Sequence, residues 1–160
     1  MGGGERLRRG ALLSTERTLE YRASQTDLDN EKSLKEFLEA KWLCTLHELP
    51  HLYHVDFYAE RDNKLVAWVE VKQRSTNSDQ YPTVFLNRDK KYKYLLGLSF
   101  AEPALFVVRW ADGVTKFIDV ANVRDEWLSY GGENNRWGPG ENDYEAVYEI
   151  PIHEMEEVPV

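Results

Sequence analysis

His54-Val55-Asp56-Phe57-Tyr58-Ala59, Glu60-Arg61-Asp62-Asn63-Lys64 and Leu65-Val66-Ala67-Trp68-Val69-Glu70-Val71-Lys72 follow one another in the chain, and their reading decides the fold. Two runs rich in Val, Trp, Tyr and Phe flank a polar, turn-forming centre, which predicts a β-hairpin. Side chains alternate along a strand, so Val66, Trp68, Glu70 and Lys72 share a face. Register decides where Asp56 points. A two-residue loop at Asp62-Asn63 pairs Asp56 with Val69, on the opposite face from Glu70. A three-residue loop, Asp62-Asn63-Lys64, pairs Arg61 with Leu65, Tyr58 with Trp68 and Asp56 with Glu70. In that register two carboxylates lie side by side, an unfavourable arrangement unless a cation sits between them. The alternative is that all three charged residues are solvated on an open face.

Working outward, residues before the hairpin predict a helix. Asp27 or Asp29 can cap a run through Trp42, and Leu34, Phe37, Leu38, Trp42 and Leu46 recur at helical spacing. Glu31, three before Leu34, falls on the same stripe, either as a first-turn acid favoured by the helix dipole or as part of a site beneath it. Pro50 is expected to end the helical region. His47, His51 and His54 have an H-x3-H-x2-H spacing that invites a zinc reading, but Pro50 breaks the helix that would align the first two. Loop and strand-edge histidines account for them better.

Beyond the hairpin, 73–82 reads as a polar loop of the kind that covers functional surfaces. Thr83-Val84-Phe85-Leu86 predicts a short strand, and Asn87 the cap of a helix over 88–96 stopped by Gly97. Residues 104–110 and 114–120 predict a second hairpin around Ala111-Asp112-Gly113. Phe106-Val107-Val108 has the continuous apolar character of a strand covered on both faces. A short helix is expected over 122–130, a Gly/Asn-rich loop over 131–143, and an edge strand over 146–152, where Pro151 lies. Residues 1–13 (MGGGERLRRGALL) read as a Gly- and Arg-rich arm, and 14–24 as a short helix capped by Ser14 or Thr15. The domain plan is therefore an arm over 1–26, one domain over 27–152 and an acidic tail over 153–160.

Composition bounds the function. At 160 residues with 42% hydrophobic residues, one packed domain is the expectation and global disorder is excluded. No apolar run approaches the roughly 20 residues that span a bilayer, and no apolar signal core follows the N-terminal arginines, which points to the cytoplasm. The single cysteine, Cys44, rules out an internal disulfide and reads as a small packed residue. The formal charge of −8 argues against indiscriminate nucleic-acid binding, but it is uneven. Residues 141–160 carry seven acids and no Lys or Arg, whereas 60–93 carry eight basic and five acidic residues.

The order of helix with Glu31, strand with Asp56, strand with Glu70-Val71-Lys72, helix over 87–96 and strand over 104–110 resembles the PD-(D/E)XK nuclease superfamily. The resemblance covers about residues 27–110, and the C-terminal third is similar to small phage-encoded members. It implies an α/β (α+β) restriction-endonuclease-like fold, with an αβββαβ core and a mixed central sheet flanked by helices. It further implies a metal-dependent nuclease acting on DNA, with Asp56, Glu70, Lys72 and Glu31 as catalytic residues. Asp56, Glu70 and the Val71 carbonyl would hold Mg2+, which Mn2+ can replace. Gln73 and Arg74 continue toward the substrate backbone; the basic face with Arg88, Lys90 and Lys91 is compatible with phosphate contacts, a merely solvated face being the alternative. A homodimer working in the cytoplasm, the host's if the chain is virus-encoded, is the expected setting. Val55, not Pro, precedes Asp56, and many members lack that proline. The competing expectations are a nuclease-fold module that binds nucleic acid without cutting it, and a protein-interaction domain.

Overall fold

A computed structural model describes residues 25–130 and 145–158. The N-terminal arm, the short helix expected over 14–24 and the loop expected over 131–143 lie outside the described residues. The chain divides into two compact units, Met1–Phe37 and Leu38–Val160. Helix α1 (Gln25–Trp42) gives its first part to one and its last part to the other. Asp27 and Asp29 therefore sit inside the helix rather than capping it. Leu34 and Leu38 are buried and Phe37 and Trp42 half-buried, as the apolar stripe requires, but Glu31 is exposed rather than on the buried side.

In the second unit the helix stops earlier than Pro50. Leu43 takes a left-handed φ of 54°, and the Cys44 N–H donates to the Glu39 carbonyl at 3.2 Å. Arg61 completes the stop, its guanidinium donating to the Trp42 carbonyl and, at 3.1 Å, to the Leu43 carbonyl, two of the groups a helix end leaves unpaired. Leu46 then belongs to a strand, β1 (Thr45–Glu48), not to the helical stripe. Its N–H is fixed by the Glu39 carboxylate at 2.8 Å.

Strands β2 (Phe57–Arg61) and β3 (Lys64–Gln73) form the expected hairpin. Its tip is the two-residue type: Arg61 pairs with Lys64, and Asp62 and Asn63 have φ of 54° and 64°, the pair of left-handed residues that a type I′ turn needs. Three residues on, the pairing changes. Glu60 pairs with Leu65 but Ala59 with Ala67, so Val66 is an extra residue in β3, a β-bulge. Beyond it Tyr58 pairs with Trp68, the register of a three-residue loop. Both registers occur in one hairpin, and the second governs the end where Asp56 and Glu70 lie.

The remaining elements are β4 (Thr83–Asn87), a π-helical turn (Arg88–Tyr92), α2 (Lys93–Leu98), β5 (Ala104–Arg109), β6 (Thr115–Asp119), β7 (Leu128–Tyr130), β8 (Ala146–Pro151) and β9 (Glu156–Glu157). The main sheet is mixed, in the order β9-β6-β5-β3-β2-β1, with β3 and β5 parallel and every other pair antiparallel. The αβββ-then-αβ order is thus realised, with β1 as its first strand. The strand after the polar loop, β4, leaves for a second sheet, β4-β8-β7.

On one face of the main sheet Val69 and Val107 are fully buried, and Trp42 meets Phe117 edge-on at 5.5 Å. On the other, Phe106, Val108 and Ile118 pack with Val84, Leu86, Tyr148 and Ile150 of the second sheet and with Leu95 of α2. Phe106-Val107-Val108 is buried on both faces, as its sequence demands.

Four expectations are corrected. Asn87 does cap, its side chain accepting from the Lys90 N–H at 2.8 Å, but the first turn is π-helical and the helix runs through Gly97 to Leu98. Residues 120–127 form two short 3-10 turns rather than a helix, and a strand follows. Strand β8 is central, since Pro151 is its last residue, where the missing N–H disturbs little of the ladder. The acidic C-terminus is docked: β9 pairs with β6, and Met155 and Val158 are buried beside the exposed Glu156 and Glu157.

Candidate active site

The site lies where β2 begins and β3 ends. Asp56 precedes β2 in a bend, and its Oδ2 accepts the Val71 N–H at 2.9 Å. Its own carbonyl accepts from the Leu49 N–H at 3.0 Å, tying the bend to the segment after β1. In an extended strand the N–H and C=O of one residue leave on the same side. The Val71 carbonyl therefore points toward the strand edge at which Asp56 sits.

Glu70 is 7% exposed, a charged residue inside the layer between the two sheets. It stands beside Phe106, its partner on parallel β5, and the two side chains share a face. One carboxylate oxygen, Oε2, meets the Lys91 ammonium at 2.7 Å, while the other, Oε1, is buried with no hydrogen-bond partner. Burial raises the Glu70 pKa from 4.5 to about 7, and the negative charge of Asp56 pushes the same way. The Lys91 ammonium and the Asp56 backbone N–H pull it down without cancelling the first two.

Lys72 shares the face of Glu70 and reaches across to the second sheet, donating to the Phe85 carbonyl at 3.4 Å. Lys91, on the π-helical turn, links Glu70 to the His54 carbonyl, the latter at 3.4 Å. Asp56, Glu70, Val71 and Lys91 are thus brought together, with Lys72 next along the strand. Arg88 and Lys90 lie on the turn that carries Lys91. Arg88 pairs with Asp89 at 3.1 Å and lies over the Tyr130 ring, and Lys90 pairs with Glu145 at 3.0 Å. Gln73 is exposed at the end of β3, and the Arg74 N–H bonds the Arg109 carbonyl at 2.8 Å. Glu31 belongs to the first unit, and the site is described from the second alone. Of the histidines, His47 meets Glu60 at 2.6 Å and stacks on Tyr58, while His54 packs edge-on against Tyr94 at 5.3 Å.

Sequence reasoning assigned Lys91 to nucleic acid and missed its contact with Glu70. The only local signal is its place four residues after the Asn87 cap. The contact itself arises because β4 turns into the second sheet and brings the following turn back over β3.

The donor set suits a hard divalent cation. The unpartnered Glu70 Oε1, the Asp56 carboxylate and the Val71 carbonyl are oxygen donors of the kind Mg2+ takes while keeping several waters. Among the described residues no group of three or more His, Cys, Asp or Glu side chains gathers that could hold a metal, so carboxylates alone do not make a closed cage.

A pH dependence follows. The folded-state pKa of this acid is raised, so from about pH 4.5 to about pH 7 the folded protein keeps a proton that the unfolded chain has lost. Stability of the metal-free protein should fall across that window by about 3 kcal/mol from this group alone. Urea melts in EDTA at a series of pH values, wild type against Glu70→Gln, isolate it. Mg2+ or Mn2+ should raise stability more at pH 8 than at pH 5, since protons compete for the same oxygens.

A family model described as "Phage putative PDDEXK endonuclease" matches residues 17–158. No curated protein matches the chain in sequence. Among solved structures the chain is similar to Hjc of Archaeoglobus fulgidus, a Holliday junction resolvase from an archaeal hyperthermophile. That likeness has a TM-score of 0.47 at 15% identity and covers 77% of this chain and 86% of that one.

Proposed function

The chain belongs to this family of phage PD-(D/E)XK endonucleases, and on that premise we propose that it is a divalent-metal-dependent nuclease hydrolysing phosphodiester bonds of DNA. One observation carries the proposal beyond the family. A buried carboxylate, Glu70, keeps one oxygen without a partner beside a second carboxylate, Asp56, at the end of a strand that continues into Lys72. Burial and the neighbouring Asp56 charge raise the Glu70 pKa and cost stability, and a bound cation is the simplest return for that cost.

Asp56, Glu70 and the Val71 carbonyl would hold Mg2+, or Mn2+ in its place. The cation there supplies charge for the scissile phosphate and acidity for an attacking water. Lys72 has its ammonium on the Glu70 face of β3, where it orients that water and neutralises charge building on the phosphate. Gln73, Arg74, Arg88, Lys90 and Lys91 would hold the DNA backbone.

The test is a divalent-metal titration with linear, branched and single-stranded DNA. Cleavage with Mg2+ or Mn2+, lost in EDTA, is the expected result. Inactivity on every substrate with both metals sinks the proposal. Salt-dependent binding that needs no metal and survives Asp56→Asn would point instead to a binding module.

A further inference from the structure

Beside the metal site, the second unit has an open cleft of about 660 Å3, lined by His54, Asp89, Lys90, Lys91, Lys93 and Tyr94. It adjoins the proposed chemistry directly. His54 is two residues before Asp56, and Lys91 spans from the Glu70 carboxylate to the His54 carbonyl.

Its volume is that of a small-ligand site, and its walls combine two chemistries. Tyr94 and His54 meet edge-to-face with centroids 5.3 Å apart and ring planes at 66°. Lys90 and Lys93 stand around them, with side chains 71% and 63% exposed. Their partners, Glu145 at 3.0 Å and Asp89 at 3.3 Å, are surface pairs of the kind that contribute little and exchange readily. The 3-10 turn just before His54 presents Leu52, 82% exposed, and Tyr53, 50% exposed.

A site for duplex backbone alone calls for cations, not for this assembly. Aromatic faces beside lysines, next to exposed apolar residues, are what an unstacked base and its phosphates require. We propose that the cleft seats one nucleotide of the substrate, unstacked from its neighbours and adjoining the scissile phosphate. Tyr94 and His54 take the base, and Lys90 and Lys93 take its flanking phosphates. Resting on the nuclease reading above, this names the substrate class: DNA in which a nucleotide at the cut site is unpaired or easily extruded, preferred over continuous duplex.

The experiment uses the full chain with two probes. Cleavage rates are compared for a continuous duplex and for the same duplex with one unpaired nucleotide at the cut. The expected preference for the second is about tenfold, the scale of one base–aromatic stack, and Tyr94→Leu or His54→Ala should bring the ratio toward one. Separately, the wild-type protein is irradiated on DNA with iododeoxyuridine at the flanking nucleotide, and the cross-link should map to Tyr94 or His54. This second readout needs no variant, so a misfolded substitution does not decide the matter. If the protein cuts DNA but shows no preference, and the cross-link maps outside the cleft, the inference falls and the nuclease reading stands. If it cuts no DNA with either metal, the nuclease reading falls and takes the inference with it.

Discussion

Exchanging Asp56 for Asn, or Glu70 for Gln, is expected to lower metal-dependent DNA cleavage by on the order of a thousandfold, while the two variants part company in stability. Asn at 56 still offers an oxygen to the Val71 N–H, so the bend keeps its hydrogen bond. Loss of the Asp56 charge relieves part of the rise in the Glu70 pKa, so this variant should melt no lower than wild type. Gln at 70 removes a buried charge whose pKa the fold raises to about 7. Above that pH, in EDTA, Glu70→Gln should be more stable than wild type by up to about 3 kcal/mol. Its neutral amide loses the Lys91 ion pair, which returns part of the gain. Lys72→Ala should cost cleavage about a hundredfold and leave metal affinity nearly unchanged, since its ammonium is no ligand. Single-turnover cleavage and urea melts on the same preparations check all three. A Glu70→Gln protein that is both active and destabilised would contradict the site as described.

The second large effect is structural. Phe106→Ala should destabilise the protein by about 3–5 kcal/mol, because the ring is 2% exposed between the two sheets and its loss leaves a cavity. Against a total of roughly 5–15 kcal/mol for a domain, that is a large share. Phe106→Leu, which keeps most of the volume, should cost far less. Since Phe106 stands beside Glu70, the Ala variant should also lose cleavage under conditions where it is still folded. Equal losses in the Ala and Leu variants would remove the packing argument.

The sequence was legible where a rule is local. Alternation and turn residues mark the hairpin, three consecutive buried residues mark β5, and Asn87 marks its own cap. The placement of Asp56 beside Glu70 could be read for the same reason, each being tied to a strand end. What was not legible depends on distant partners. Leucine at 43 gives no hint of a left-handed residue, and the helix stop it makes is completed by Arg61, eighteen positions away. Leu46 therefore looked like the last residue of a helical stripe. Pro151 argued for an edge because a proline's missing N–H matters in a ladder, but not where the ladder ends. The C-terminal acids hid the buried Met155 and Val158, which carry the docking while the glutamates stay in water. The Lys91–Glu70 contact needed the second sheet, which no motif announces.

Val66 divides the hairpin into two zones with different tolerance to change in length. Side chains in a ladder have only two settings, up or down, and one extra residue reverses every setting past it. Because that reversal happens between tip and site, the tip can follow the conformational rules of a tight turn while the far end follows those of the carboxylates. A tip lengthened by one residue has a remedy already in place: the hairpin can shed its bulge and restore the same pairing from Ala67 onward. The six residues from Ala67 to Lys72 have none. Ala67 to Val69 pair with β2 and Trp68 to Lys72 with the parallel β5, and any slip there turns Glu70 away from Asp56 and drives Val69 out of the core.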